Sequence, residues 1–290
     1  MPPAPHSGAF QVKALRAPAA PVVFDSPHSG FVFPPDFKPT ATLEQIQTTW
    51  DAYVDELCDR VVDAGASLVI AQFPRAYIDA NRAVDDIDPE VLASPWPKQT
   101  QLSEHSRRGM GLIRRLALPS VPMYDRKLMV AEVAHRIDEY YAPYRRALLD
   151  VIDGAWQEHG AVWHFNCHSM KSRGNAMNRD SGSTRPDFVI GDRRGTTATP
   201  ELTRWVAGFF SDRGFAVRIN DPYMGADIVR AHGEPERRRN SIQIEINRSL
   251  YLDERTCERG PGFARVRDVM TEFAHAAVER ARAELLSKRQ

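Results

Sequence analysis

Apolar and polar positions along the chain form short runs that alternate with longer helical stripes. Val22-Val23-Phe24 is an apolar run that breaks into Asp25-Ser26-Pro27-His28-Ser29-Gly30. A β-branched run closed by Pro and Gly predicts a buried strand that delivers His28 to its end. Ala161-Val162-Trp163-His164-Phe165 repeats the design and finishes in Asn166-Cys167-His168-Ser169. A third run, Ile242-Gln243-Ile244-Glu245-Ile246-Asn247-Arg248, alternates apolar and polar residues around one carboxylate and predicts the strand that closes the sheet. Ser67 to Phe73, Phe188 to Gly191 and Phe215 to Ile219 predict further strands.

Between these runs the period changes. Leu43, Ile46, Trp50, Tyr53/Val54, Leu57 and Val61 recur three and four apart, which predicts a helix from about Thr42 to Ala64 with Gly65 as its C-cap. Asp51 and Asp55 would then lie one above the other on its flank. Leu128 to His159 is helical in period but carries Pro143, so two helices or one kinked helix are expected. Glu201 to Arg213 and Phe263 to about Ser287 predict two more helices. Arg75 to Arg82 reads as an extended segment ending in Asn81-Arg82, Asp85 to Arg108 as a long surface loop, and Lys171 to Pro186 as a polar lid. The alternation of strand and helix predicts an α/β fold, with residues 21–290 as one domain behind a loose leader over residues 1–20.

Composition narrows the partners. Lys plus Arg (38) equal Asp plus Glu (38), so no net field favours nucleic acid or an anionic membrane. No apolar run approaches the ~18 residues of a membrane helix. Cys58, Cys167 and Cys257 are sparse and lack CxxC spacing, which argues against a disulfide framework and a cysteine zinc site and fits a reduced cytoplasm. There is no G-x-S-x-G elbow and no P-loop, and Cys167 beside His168 points to the opposite face of its strand, which argues against a Cys-His dyad between these neighbours.

What remains is a metal site. His28 and His168 each close an apolar strand among small residues, whereas His164 sits in mid-strand and reads as structural. Zinc requires a third N or O ligand and an open position, and Asp51 and Asp55 are the acids near His28. Glu245, between two isoleucines on a strand buried on both faces, would cost several kcal/mol to desolvate unless paired or set near a cation. That position suits a general base. Arg82, at the end of its segment, offers a fork for a substrate carboxylate.

The motifs Ser26-Pro27-His28-Ser29-Gly30, Asp51-Ala52-Tyr53-Val54-Asp55, Ile78-Asp79-Ala80-Asn81-Arg82, Asn166-Cys167-His168-Ser169-Met170 and Gln243-Ile244-Glu245-Ile246-Asn247 occur in that order. Together they resemble the N-formylglutamate amidohydrolases, zinc-dependent amide hydrolases of histidine degradation. The resemblance, from about Val22 to Leu252, implies the mixed, mostly parallel sheet of zinc carboxypeptidases and cell-wall amidases, flanked by helices. It implies His28 and His168 as zinc ligands with Asp51 or, alternatively, Asp55, Glu245 as the catalytic acid/base, and Asn81 and Arg82 on the substrate's carboxylate; Arg248 is a further candidate cation for that carboxylate. Phe31 stands where the carboxypeptidase branch has a ligating Glu, so the acid ligand comes from elsewhere. Ala80 and Ala226 depart from the expected Leu and Gly, which leaves room for another N-acyl amino acid or a peptide as substrate. A non-catalytic binding protein for acidic small molecules is the rival from another class.

Overall fold

A computed structural model describes residues 6–17 and 19–287. In chain order its elements are β1 (His6–Ser7), β2 (Phe10–Val12), β3 (Val22–Ser26), α1 (Leu43–Gln47), α2 (Val54–Leu57), β4 (Ser67–Ala71), α3 (Glu104–Arg107), β5 (Leu116–Leu118) and β6 (Val121–Pro122). There follow α4 (Val130–Arg136), α5 (Ala142–His159), β7 (Val162–Met170), β8 (Phe188–Gly191), α6 (Pro200–Ser211), β9 (Val217–Ile219), α7 (Asp227–His232), β10 (Arg239–Asn247) and α8 (Phe263–Ser287). Eight strands form one sheet in the order β1-β2-β4-β3-β7-β10-β8-β9, and β5 and β6 pair separately. The centre, β4-β3-β7-β10, is parallel. β2 joins β4, and β8 joins β10, antiparallel. This is the expected single-domain α/β fold with a mixed, mostly parallel sheet.

Helices cover both faces. On one, α2, α6 and α8 pack on Phe24, Phe165, Cys167, Ile242, Ile244 and Ile246. The α8 stripe of Phe263, Val266, Met270, Phe273 and Ala277 advances by three and four residues, and Phe273 meets Phe165 at 4.9 Å between ring centroids. On the other face α5 contributes Tyr144, Leu148 and Ile152 to a second cluster with Val23, Val69 and Val162. None of the helices is long and apolar enough to cross a membrane among the described residues.

Several expectations are corrected. The helix expected from Thr42 to Ala64 breaks into α1, α2 and a 3-10 turn over Asp59–Asp63, with Thr42 capping α1 and Tyr53 in the left-handed region (φ 63°). Asp51 therefore sits in the break, not on a helical flank above Asp55. The segment read as a loose leader adds β1 and β2 to the sheet edge, because β2 hydrogen-bonds in register with β4; residues 1–5 and 18 lie outside the described residues. The strand bearing Glu245 lies inside the sheet, between β7 and β8, since β8 and β9 fold back beyond it. Arg75 to Arg82 is turned, not extended, and the 85–108 stretch buries Asp86, Ile87, Val91 and Leu92. At Pro143 the α4–α5 stretch stays continuous through a π-helical turn over Ile137–Tyr141, which accommodates the missing N–H with a widened ring of hydrogen bonds.

The loop after β3 is held against β4. A Cβ on Gly30 would approach the Gln72 carbonyl carbon to 2.3 Å and the Ala71 oxygen to 2.4 Å, both backbone atoms that cannot swing aside. Gly30→Ala is expected to destabilise the fold by about 1–3 kcal/mol through overpacking and to displace His28. Urea unfolding reads the first effect and bound metal per chain the second; an unchanged midpoint and full metal content would contradict it.

Candidate metal centre

The polar half of each alternating strand faces the same side. β7 and β10 run parallel with Glu245 opposite His168, Gln243 opposite Asn166 and Ser241 opposite His164, and Asp25 of β3 is opposite Asn166 on the other flank. Neighbouring strands lie about 4.8 Å apart, so these side chains form a buried polar row across three strands. His28, just past the end of β3, and His168, near the end of β7, come together where parallel strands finish, the usual place for chemistry in an α/β sheet.

Three ligand atoms converge there. His28 Nδ1 and His168 Nδ1 are 3.0 Å apart, and Asp51 Oδ2 lies 3.0 Å from His168 Nδ1 and 3.4 Å from His28 Nδ1. All three residues are buried. In a tetrahedral zinc site with bonds of about 2.0–2.1 Å, adjacent ligand atoms stand about 3.3 Å apart, so the triangle fits a zinc-sized ion. The residues behind it fix the tautomers. His28 Nε2 donates to Asp79 Oδ1 at 2.6 Å and His168 Nε2 donates to Asn166 Oδ1 at 2.8 Å, leaving both Nδ1 lone pairs turned to the common point. Asn166 is itself oriented by donating Nδ2 to Asp25 Oδ1 at 2.8 Å.

Two arginines hold the acids. Arg75 Nη2 donates to Asp79 Oδ2 at 2.8 Å, and Arg248 Nη2 donates to Asp51 Oδ1 at 2.9 Å. Burial raises the Asp51 carboxyl, but the close approach of His168 and His28 and the charge of Arg75 outweigh it and hold the group well below the usual carboxylate range. The Asp79 carboxyl is also held well below that range, because the charges of Arg75 and Arg82 and the hydrogen bond from His28 overcome its burial. Glu245, 6% exposed, goes the other way: burial raises its carboxyl and the nearby Asp51 adds to the rise, with His168 opposing. Gln243 Nε2 donates to Glu245 Oε1 at 2.8 Å and aims it.

His28, Asp51 and His168 are thus brought together with Glu245 beside them, while Asp55 stands apart in the first turn of α2. His164 belongs to the polar row, its Nε2 2.9 Å from Asp25 Oδ1 and its Nδ1 2.7 Å from Ser241 Oγ, and stays outside the converging group. Asn81 lies behind the centre: its Oδ1 accepts from the Ile228 N–H at 2.8 Å, and its Nδ2 faces His168 Nε2 and Asn166 Oδ1. Arg248 uses all three guanidinium nitrogens, on Ser169 Oγ, the Thr48 carbonyl and Asp51. Arg82 donates Nε to the Met110 carbonyl and Nη1 to the Asn81 carbonyl, both at 3.0 Å. The partners Asp79, Arg75 and Asn166 were not singled out by sequence reasoning. Asn166 was the most legible of them, two residues before His168 and therefore on its face.

A mostly parallel α/β sheet that carries a buried His/Asp/His group at its strand ends, with a carboxylic acid one strand away, defines a hydrolase fold with a candidate metal site. The chain belongs to the N-formylglutamate amidohydrolase family, whose model matches residues 20–252, and it is an amidohydrolase. It is similar to the N-formylglutamate deformylases of Pseudomonas aeruginosa (25% identical, 84% of this chain and 86% of that one) and Pseudomonas putida (25%, 81% and 82%). It also resembles the crystal structure of N-formylglutamate amidohydrolase from Ralstonia eutropha JMP134, at 43% identity and a TM-score of 0.91 over 96% of this chain and 100% of that one.

The two acids differ in what their loss should do. Asp51→Ala, like His28→Ala and His168→Ala, is expected to abolish stoichiometric zinc binding measured by elemental analysis, whereas Asp55→Asn and His164→Ala retain it. Equal loss across the set would remove the distinction drawn here. Burial, with Glu56 adding, pushes the Asp55 carboxyl from 3.8 up to about 6. The folded state therefore favours the protonated acid, and stability falls as pH rises between those values. Asp55→Asn should stabilise the protein at pH 8 by about 1–2 kcal/mol, after discounting for partial exposure, and by less at pH 5. A gain that is the same at both pH values in thermal unfolding would refute this.

Proposed function

We propose that the protein is a zinc-dependent amidohydrolase that hydrolyses N-formyl-L-glutamate to formate and L-glutamate, a reaction of histidine breakdown in the cytoplasm. The observation that carries the reading is Glu245, buried and raised, as the register partner of His168 on the neighbouring strand. The names borne by the relatives supply the substrate, and three cysteines without a disulfide suit a reducing compartment.

The donor set, two neutral imidazoles and one carboxylate with a further acid nearby, suits zinc with an open position. Zinc held by His28, Asp51 and His168 would supply Lewis-acid chemistry toward the formyl carbonyl and a water molecule. The chain's own residues do the proton work. Glu245 accepts the proton that water loses as its oxygen adds to the formyl carbon. The carboxylic acid so formed returns that proton to the amine nitrogen as the carbon–nitrogen bond breaks, so formate and the free amino acid leave with atoms balanced. A carboxyl raised by burial holds a proton more firmly than an ordinary carboxylate, which suits a group that must take the proton from water and carry it to the amine. Gln243 keeps the carboxyl turned to the centre. Asp79, held by Arg75, and Asn166 keep the imidazoles in the tautomer with Nδ1 free, which is an orienting role.

Glu245→Gln preserves shape and removes the base. The expected result is a loss of kcat by about 10²–10⁴-fold with zinc content and KM near the wild-type values, measured by formate release from N-formyl-L-glutamate. Turnover at the normal rate in a zinc-loaded variant would sink the mechanism, and absence of formate release from the wild type would sink the substrate.

A further inference from the structure

Arg114 is a cation without an anion. It is 6% exposed, its Nε is buried without a hydrogen-bond partner, and among the described residues the guanidinium makes no ion pair. The other arginines of the metal centre all have hydrogen-bond partners. Arg75 is on Asp79, Arg248 on Asp51, and Arg82 has Nε and Nη1 on main-chain carbonyls. A buried charge left alone costs several kcal/mol unless something else satisfies it.

The backbone around Arg114 is built with care. Residues Met110 and Arg114 bridge each other across a tight turn, and the turn is fastened to the site at two points. The Asp79 N–H donates to the Leu112 carbonyl at 2.8 Å and Arg82 Nε donates to the Met110 carbonyl at 3.0 Å. The residues holding Arg114 in place are thus the partner of His28 and the arginine of the Asn-Arg pair. Leu112 and Ile113 are fully buried, so the turn has no freedom to swing Arg114 out to solvent.

We propose that Arg114 is the specificity-determining cation of this active site, and that its unpaired guanidinium takes a carboxylate of the substrate. The inference rests on the reading that the substrate is an N-acyl amino acid, and it moves the carboxylate clamp from Arg82, whose fork is turned onto the main chain, to a residue in the adjoining turn. N-formylglutamate brings two carboxylates into a partly dry site, and a planar fork offers one of them two parallel hydrogen bonds. Electrostatics agrees with the placement. Burial first, then the charges of Arg75 and Arg82 against the opposing Asp79 and Asp51, push Arg114 down to about 9, and the Arg82 charge with burial pushes the neighbouring His105 down to about 3. Neighbouring positive charge and burial thus outweigh the opposing acids at both groups, a balance that a carboxylate from outside would offset.

The test separates a ligand contact from a packing role. Metal-loaded Glu245→Gln protein, which should not turn over, is titrated calorimetrically with N-formyl-L-glutamate, its α-amide and its γ-amide, with and without Arg114→Met and Arg114→Lys. Arg114→Met is expected to weaken N-formyl-L-glutamate by about 10- to 100-fold and to erase the preference over one of the two amides, with Arg114→Lys recovering part. The melting temperature of ligand-free Arg114→Met should rise, because an unpaired buried charge has been replaced by an apolar chain of similar length. Unchanged affinity and preference, or a lowered melting temperature with affinity lost equally for all three ligands, would overturn the proposal. If the wild type releases no formate from N-formyl-L-glutamate yet binds it through Arg114, the substrate reading fails and this assignment stands. If the wild type turns over and Arg114→Met binds as the parent does, the reverse holds.

Discussion

The structure depends on burying a row of polar side chains across the middle of a sheet. Asp25 on β3, His164, Asn166 and His168 on β7, and Ser241, Gln243 and Glu245 on β10 share one face, within a fold whose opposite face is apolar. Each such group costs about 1–3 kcal/mol if left without a partner, so the members fix one another. Tyr144 of α5 donates to Asp25 Oδ2 at 2.5 Å, Asn166 donates to Asp25 Oδ1, and His168 donates to Asn166. The orientation of a candidate metal ligand at the end of the row is thereby set by a helix packed at its middle. The stiffness required of a catalytic centre and the satisfaction required of a buried polar group are met by the same hydrogen bonds.

The break in the 42–64 segment follows from the same constraint. A continuous helix would have kept Asp51 on a solvated flank. Instead the Asp51 N–H donates to the His28 carbonyl at 3.1 Å, Trp50 Nε1 donates to the Ser29 carbonyl at 2.6 Å, and Arg248 Nη1 reaches the Thr48 carbonyl. These bonds satisfy backbone groups that helix formation would otherwise use and turn Asp51 Oδ2 toward the imidazoles. Tyr53 at positive φ then restarts the chain as α2, at a backbone cost of order 1 kcal/mol.

How much of this was legible in the sequence depends on range. Strands β3, β7, β8 and β10 and helix α8 could be read because their apolar periods are regular and their burial is decided by local pattern. His28, His168 and Glu245 could be read because each interrupts such a pattern at a strand end or between isoleucines. The choice between Asp51 and Asp55 could not, since helical periodicity extends unbroken through both and only the contact with His28 interrupts it. The sheet edge at β2 was hidden because its stabilisation is main-chain hydrogen bonding to β4, which leaves little mark on side-chain choice. Asp79 and Arg75 were hidden for another reason. Their pairing satisfies two buried charges at once, and neither looks unusual until the other is placed.

Charge distribution gives the site its direction. Behind the converging ligand atoms, acids and arginines alternate: Asp79 with Arg75, Asp51 with Arg248. Such pairs neutralise one another at short range, so a cation at the centre would meet the Asp51 carboxylate without facing a large opposing field. Arg114 breaks the alternation, for its turn supplies no acid. A fold selected for stability alone would place an apolar residue there, since replacing a buried charge by a well-packed hydrophobe is commonly neutral or stabilising. Retaining the cation makes the empty site slightly less stable and the occupied site more so. The difference between those two states is the part of the binding energy that a neutral amide cannot obtain, and selectivity for an acid over its amide comes from that difference.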